Sequence, residues 1–177
     1  MNVVVGTDID APRQTVWDYL VDPSQRFDFL VGLTRWEPEH AGHGGLGARY
    51  LTSMRIGSVE LGSQIEVVEF DPPLDLAWSG VTGVDQRGRW RLRHRRGGGT
   101  RVEFRLTYHA PGGVLGFVAD LVASVIVRRN LQRSLAELKR RLEARSRRPS
   151  VSDVAALATS GRTAGAASTP KPPSFPT

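Results

Sequence analysis

The sequence predicts an α+β fold: seven antiparallel strands, two short helices after the first strand, and one long C-terminal helix. Three observations predict it. Apolar and polar residues alternate with period two through most of 49–108, the pattern of strands covered on one face. Apolar residues from Val114 to Leu142 recur at helical spacing. A β-branched run, Val3 to Ile9, stands alone at the start and reads as a strand.

The elements follow in order. Asp10 is placed to cap the helix after the first strand, with Pro12 in its first turn. Val16, Trp17, Leu20 and Val21 supply that helix's apolar side. Asp22-Pro23 stops it and starts a second short helix carrying Phe27, Phe29 and Leu30. A strand at Leu33 to Glu37 and a glycine-rich loop, His40 to Gly47, come next.

Taking Gly57-Ser58 as a two-residue turn sets Met54 opposite Leu61, Thr52 opposite Ser63 and Tyr50 opposite Ile65. Arg55 then faces Glu60 and Arg49 faces Glu66 on the other side, so apolar and charged faces agree. Asp71-Pro72-Pro73 turns the chain into a strand at Leu74 to Thr82, with Leu76 and Trp78 inward. Taking Gly97-Gly98-Gly99 as a three-residue turn sets Trp90 opposite Leu106, Leu92 opposite Phe104 and His94 opposite Val102. Arg89, Arg91, Arg93 and Arg95 then all point outward. Gly112-Gly113 releases the long helix, which is apolar nearly all round as far as Val127 and carries a single Leu stripe beyond it. The domain is expected over 1–145. The rest, 146–177, rich in Ala, Ser, Thr, Gly and Pro, is expected to be a disordered tail.

Composition removes several function classes. The absence of cysteine excludes disulfides, thiolate metal sites and a cysteine nucleophile. No apolar run reaches the roughly 18 residues of a membrane span. No basic segment precedes an apolar one at the N-terminus, so a soluble cytoplasmic protein is expected. The net charge of +6 is localised: residues 1–127 hold 13 Lys/Arg against 15 Asp/Glu, and residues 128–148 hold 9 against 2. A high overall charge therefore does not by itself make a nucleic-acid protein.

Asp10-Ala11-Pro12 to Val16-Trp17, Asp22-Pro23, and Glu66 to Pro73 leading into Leu76-Ala77-Trp78 form one pattern with Leu131 to Glu143 in the last helix. On these residues the chain resembles the helix-grip fold of the START and pollen-allergen-like (SRPBCC) superfamily. Within it, the likeness is to the polyketide cyclase/dehydrase and lipid transport proteins. The resemblance covers about residues 1–145. It implies a curved sheet wrapped around the long helix, with a cavity between them that takes a hydrophobic small molecule.

The inward set follows from the alternation: Tyr50, Thr52, Met54, Leu61, Ser63, Ile65, Leu76, Trp78, Trp90, Leu92, His94, Phe104, Leu106 and Tyr108. Apolar walls with few polar groups suit a pocket of roughly 300–1,000 Å³. The expected ligand-binding residues are Tyr50, Thr52, Met54, Ser63, Trp78, Trp90, His94, Phe104 and Tyr108, joined by Phe117 and Leu121 from the helix. Thr52 and Ser63 need partners, which a ligand or ordered water would supply. His94, as the only inward histidine, is the candidate acid or base; Asp120 is the nearest candidate carboxylate.

His40, His43, Glu37 and Glu39 have a loose metal-ligand look but no fixed geometry, so no metal and no cofactor is expected. Gly42 to Gly47 precedes a strand and lacks Gly-Lys-Ser/Thr, so it is not a phosphate loop.

Three readings follow. The first is a binder or carrier of a lipid, isoprenoid or polyketide. The second is a polyketide aromatase/cyclase or dehydratase using the same cavity. The third is a basic module acting on RNA or, transiently, on an anionic membrane through Arg128 to Arg148 and the outer sheet arginines. Interleaved aromatics for base stacking are missing, which disfavours nucleic acid.

Overall fold

A computed structural model describes residues 1–40, 44–109 and 113–146, with the side chains of the last helix described from Ser124 onward. Its strands are β1 (Asn2–Ile9), β2 (Leu33–Pro38), β3 (Arg49–Ile56), β4 (Val59–Asp71), β5 (Asp75–Gly83), β6 (Asp85–His94) and β7 (Thr100–His109). The helices are α1 (Arg13–Val21), α2 (Arg26–Phe29) and α3 (Gly113–Ser146), with one 3-10 turn at Pro23–Gln25. The seven strands form one antiparallel sheet in the order β1-β7-β6-β5-β4-β3-β2, curled around α3. The expected α+β helix-grip architecture is therefore present. No described helix is long and apolar enough to cross a membrane.

The β3–β4 hairpin has the predicted register in full, from Arg49↔Glu66 through Thr52↔Ser63 to Arg55↔Glu60. The charged pairs close at 2.7 Å for Arg49–Glu66 and 3.4 Å for Arg55–Glu60.

The β6–β7 register differs from the expectation by two residues. Trp90 faces Phe104, Leu92 faces Val102 and His94 faces Thr100. The loop is Arg95 to Gly99, closed by Gly98 N–H to Arg95 O at 3.1 Å, with Gly97, Gly98 and Gly99 all at positive φ. Because a slip of two keeps every side chain on its face, alternation cannot detect it. Tertiary contacts select the register. Trp90 and Phe104 stack with centroids 4.2 Å apart, and Thr100 is fully buried with its hydroxyl donating to Ala11 O at 2.8 Å.

Three local expectations also change. Asp10 does not cap α1: the helix starts at Arg13 with Pro12 at the cap, so the Asp10 carboxylate lies too far out to reach its first amides. Its backbone N–H instead donates to Glu143 Oε1 at 3.0 Å, tying β1 to α3. Phe27 is exposed, and Phe29 alone of that pair is buried. Val125 is 65% exposed, while Val127, Leu131, Leu135, Leu138 and Leu142 form the buried stripe of α3. Ser134 on that stripe accepts from Val31 N–H and donates to Asn130 O, both at 2.9 Å, which fixes the segment between α2 and β2. α3 includes Ser146; the remainder of the expected tail lies outside the described residues.

The outer sheet face is ion-paired. Asp75, 7% exposed, takes Arg93 at 2.7 Å and Arg91 at 3.2 Å, and Arg89 pairs with Glu69. Burial alone would raise the Asp75 pKa, but hydrogen bonds from Arg93 and Arg91 outweigh it and hold the carboxyl below its ordinary range. On α3, hydrogen bonds from Arg140 and then Arg141 lower Glu137 from 4.5 to about 2.

Two predictions arise. A Cβ on Gly88 would lie 2.1–2.7 Å from Trp78 ring carbons. Gly88→Ala is therefore expected to cost about 1–3 kcal/mol through forced repacking, read as a lower urea midpoint; an unchanged midpoint would contradict this packing. Second, a depressed carboxylate contributes stability above its unfolded pKa and loses it as pH falls through the folded one. Denaturant midpoints should thus drop between pH 4.5 and about 2, the Glu137 window. Glu137→Gln should flatten that drop by less than about 1 kcal/mol, since the ion pairs are partly solvated. A pH profile identical to the parent's would rule out this assignment.

Candidate functional site

Inward side chains of the sheet build a continuous row of rings. Trp90 stacks on Phe104, Phe104 on Trp78 at 5.8 Å, and Trp78 meets Trp36 edge-on at 6.3 Å. Trp36 packs on Tyr50 at 5.3 Å, and at the other end Phe29 meets Trp90 at 6.3 Å and Tyr19 at 5.8 Å. Period-two spacing delivers the sheet rings to one face, and Gly88 leaves the space that the Trp78 indole fills.

Of the expected ligand residues, Tyr50, Thr52, Trp78, Trp90, Phe104 and Tyr108 are inward and buried. Met54 and Ser63 are half-buried, and inward-facing Leu61 is 39% exposed. Burial thus falls along β4 from Ile65, 1% exposed, to Leu61, so the inner face is sealed near Leu92 and Val102 and loosens toward the β3–β4 turn. Phe117, Leu121 and Asp120 lie in the part of α3 whose side chains fall outside the described residues.

His94 departs from expectation. It is the last paired residue of β6, opposite Thr100, and is exposed. The two-residue slip keeps it on the face of Trp90 and Leu92 but sets it at the rim, exposed and away from the Trp78–Phe104 stack. The loose histidine and acid cluster also disperses. Glu37 pairs with Arg35 at 2.6 Å and Glu39 accepts from Gln64 at 2.8 Å, while His43 lies outside the described residues.

Thr52 and Ser63 satisfy each other, contrary to the expectation that a ligand or water must. Gln86 Nε2 donates to Ser63 Oγ at 2.6 Å, and the two hydroxyls lie 3.0 Å apart. Thr52 Oγ1 donates to Ser63 O at 3.1 Å, which closes the chain of donors. Gln86 was missed by the sequence reading; counting back in twos from Trp90 through Gly88 reaches it.

Arg26 was missed too. It opens α2, is only 7% exposed, and lies with its guanidinium carbon 4.5 Å from the Trp36 ring centroid and 5.4 Å from that of Tyr50. Nη2 donates to Val21 O at 3.1 Å. Burial pushes its pKa down, and Tyr50 and, more weakly, Asp22 act the other way. The signal in the sequence is spacing: Arg26, Phe29 and Leu30 share one helical face, with Phe27 opposite.

Two surface concavities lie outside this interior. One, about 410 Å³, runs between β1 and α3 past Val5, Gln132, Leu135 and Lys139. The other, about 240 Å³, lies by Tyr19, Gln25 and Arg145. Neither contains an expected ligand residue.

The basic surface is smaller than the sequence suggests. Arg95 and Arg101 pair with Asp10 and Asp8 across β1 at 3.6 and 3.1 Å, in addition to the Asp75 and Glu69 clusters. Arg140 and Arg141 pair with Glu137, and Lys139 with Glu143. Among the described residues, Arg128, Arg129, Arg133 and Arg145 on α3, and Arg87 and Arg96 on the β6–β7 hairpin, are exposed and outside these ion pairs.

Comparison with known proteins agrees with this geometry. TTHA0849 from Thermus thermophilus is 21% identical with a TM-score of 0.71, over 82% of this chain and 99% of that one. Zhui aromatase/cyclase from Streptomyces sp. R1128 is 20% identical with a TM-score of 0.69, over 83% of this chain and 96% of that one. These likenesses show the fold. No curated protein matches the chain. Residues 1–143 match the family described as polyketide cyclase/dehydrase and lipid transport, and the chain belongs to that family.

Proposed function

We propose that the protein binds a hydrophobic small molecule, a lipid, isoprenoid or polyketide, between the inner sheet face and the first half of α3. The observation that carries this is the aromatic row that loosens toward Met54, Ser63 and Leu61 rather than sealing. A fully packed core would bury Leu61 as it buries Ile65. The family description, which includes lipid transport, supports the reading. Apolar burial drives binding at about 25 cal/mol per Å² before ordering costs.

Catalysis in the same cavity is the second reading, favoured by the fold likeness to an aromatase/cyclase. Its best sequence candidate, His94, lies on the rim, so turnover of a polyketone would need another group to move protons.

Native mass spectrometry of freshly purified protein, with extraction of any bound molecule, tests the binding reading. A thermal-shift panel of fatty acids, isoprenoid alcohols and aromatic polyketides runs beside it. A ligand at a hundred times its Kd should stabilise by about 2.7 kcal/mol. No copurifying molecule and no shift across the panel would refute binding. Met54→Arg, at the loosened end, should leave the unliganded melting point within a few degrees but weaken ligand binding at least about tenfold, since it sets a charge in an apolar mouth. His94→Ala should leave binding unchanged; a large loss there would return the histidine to the site.

A further inference from the structure

Arg26 Nη1 and Trp36 Nε1 are both buried and find no hydrogen-bond acceptor among the described residues. They are neighbours, since the guanidinium lies over the Trp36 ring. Both groups are donors only, and the guanidinium keeps its charge even when buried. Nearby acceptors are already engaged: Val21 O takes Arg26 Nη2, the Tyr50 hydroxyl already interacts with the guanidinium by a side-chain hydrogen bond, and the Thr52–Ser63–Gln86 chain is closed on itself, which leaves Nη1 as the unmatched donor. No carboxylate forms an ion pair with Arg26 among the described residues, whereas most arginines of the outer sheet face have one. A buried cation beside a second unmatched donor is costly unless something brings an anionic acceptor.

We infer that Arg26 and Trp36 form the polar end of the binding site and select a hydrophobic ligand carrying a carboxylate. One carboxylate oxygen accepts from Arg26 Nη1 and the other from Trp36 Nε1, while the apolar body lies along the rings toward Trp78. This inference rests on the cavity-binding reading and names its ligand class. The chemistry fits: guanidinium–carboxylate contacts are among the strongest hydrogen bonds, and exclusion of water strengthens them. Tyr50, on whose ring the guanidinium also rests, fixes its orientation.

The test uses matched pairs on the whole protein at pH 7.5: 2-naphthoate against 2-naphthamide, and decanoate against decanamide, by titration calorimetry. Each amide keeps the shape of its acid and loses the charge. The parent protein should bind each acid at least tenfold more tightly than its amide. Arg26→Met should reduce that preference below threefold. Trp36→Phe, which keeps the ring and deletes the Nε1–H, should weaken the acids several-fold and leave the amides unchanged. Equal binding of acid and amide by the parent overturns the inference and leaves the cavity reading standing. Failure of all four probes to bind overturns the inference, and the cavity reading falls with it only where no molecule copurifies and the wider thermal-shift panel is also flat. An acid preference that survives in a folded Arg26→Met protein overturns the assignment to Arg26. Should Arg26→Met not fold, the parent comparison and Trp36→Phe decide.

Discussion

The fold depends on how a curled sheet covers its concave face. Seven strands present a row of large rings to one side, and none of them can be left in water without forfeiting roughly 1.5–3 kcal/mol of burial. Trp78 can lie flat only because Gly88 carries no side chain beneath it. Trp90 can stack on Phe104 only in the β6–β7 register that also buries Thr100 against Ala11 O. α3 covers this face with its Leu131–Leu135–Leu138–Leu142 stripe at one end, where Leu92 and Val102 are fully buried. At the other end the same face loosens, so the sealed end that folds it and the end where we place the proposed ligand belong to one surface.

How much was legible in the sequence follows from which patterns are degenerate. The β3–β4 hairpin carried two independent constraints, apolar partners on one face and opposite charges on the other, and only one register satisfies both. The β6–β7 hairpin carried arginines on seven outward positions with two acids, Asp85 and Glu103, among them, so its charges could not discriminate. Their carboxylate partners sit on β1, β4 and β5, where a hairpin count does not look. That ambiguity decided the fate of His94. Two residues of slip leave its face unchanged and move it from a position opposite Val102 to the last pair, opposite Thr100, at the end of the sheet.

The polar groups inside separate into two kinds. Thr52, Ser63 and Gln86 form a closed series in which each donor has an acceptor, as buried polar groups normally do. Arg26 Nη1 and Trp36 Nε1, on neighbouring elements, have none among the described residues. Sequence reading favoured the first kind, because hydroxyls on inward strand positions are easy to count. It passed over an arginine in a four-residue helix, because charged residues near a turn read as solvated. What makes Arg26 inward is the geometry around it: Asp22 organises the preceding turn through Ser24, and Phe29 anchors the same helix against Trp90.

The charge distribution bears on function in the same way. A basic chain suggests an anionic polymer as partner, yet most outward arginines of the sheet are held by carboxylates of the sheet itself or of the residue after β1. Such pairs contribute little each, but they take most of the sheet's outward arginines away from phosphates, and affinity for a polyanion depends on the number of cations free to replace its counterions. The buried cation is in the opposite position: one charge, shielded from solvent and salt, with an orphan donor beside it. A single contact there discriminates among small ligands more strongly than a field of paired arginines discriminates among polymers, because the cost of leaving it unmatched is paid in a dry site.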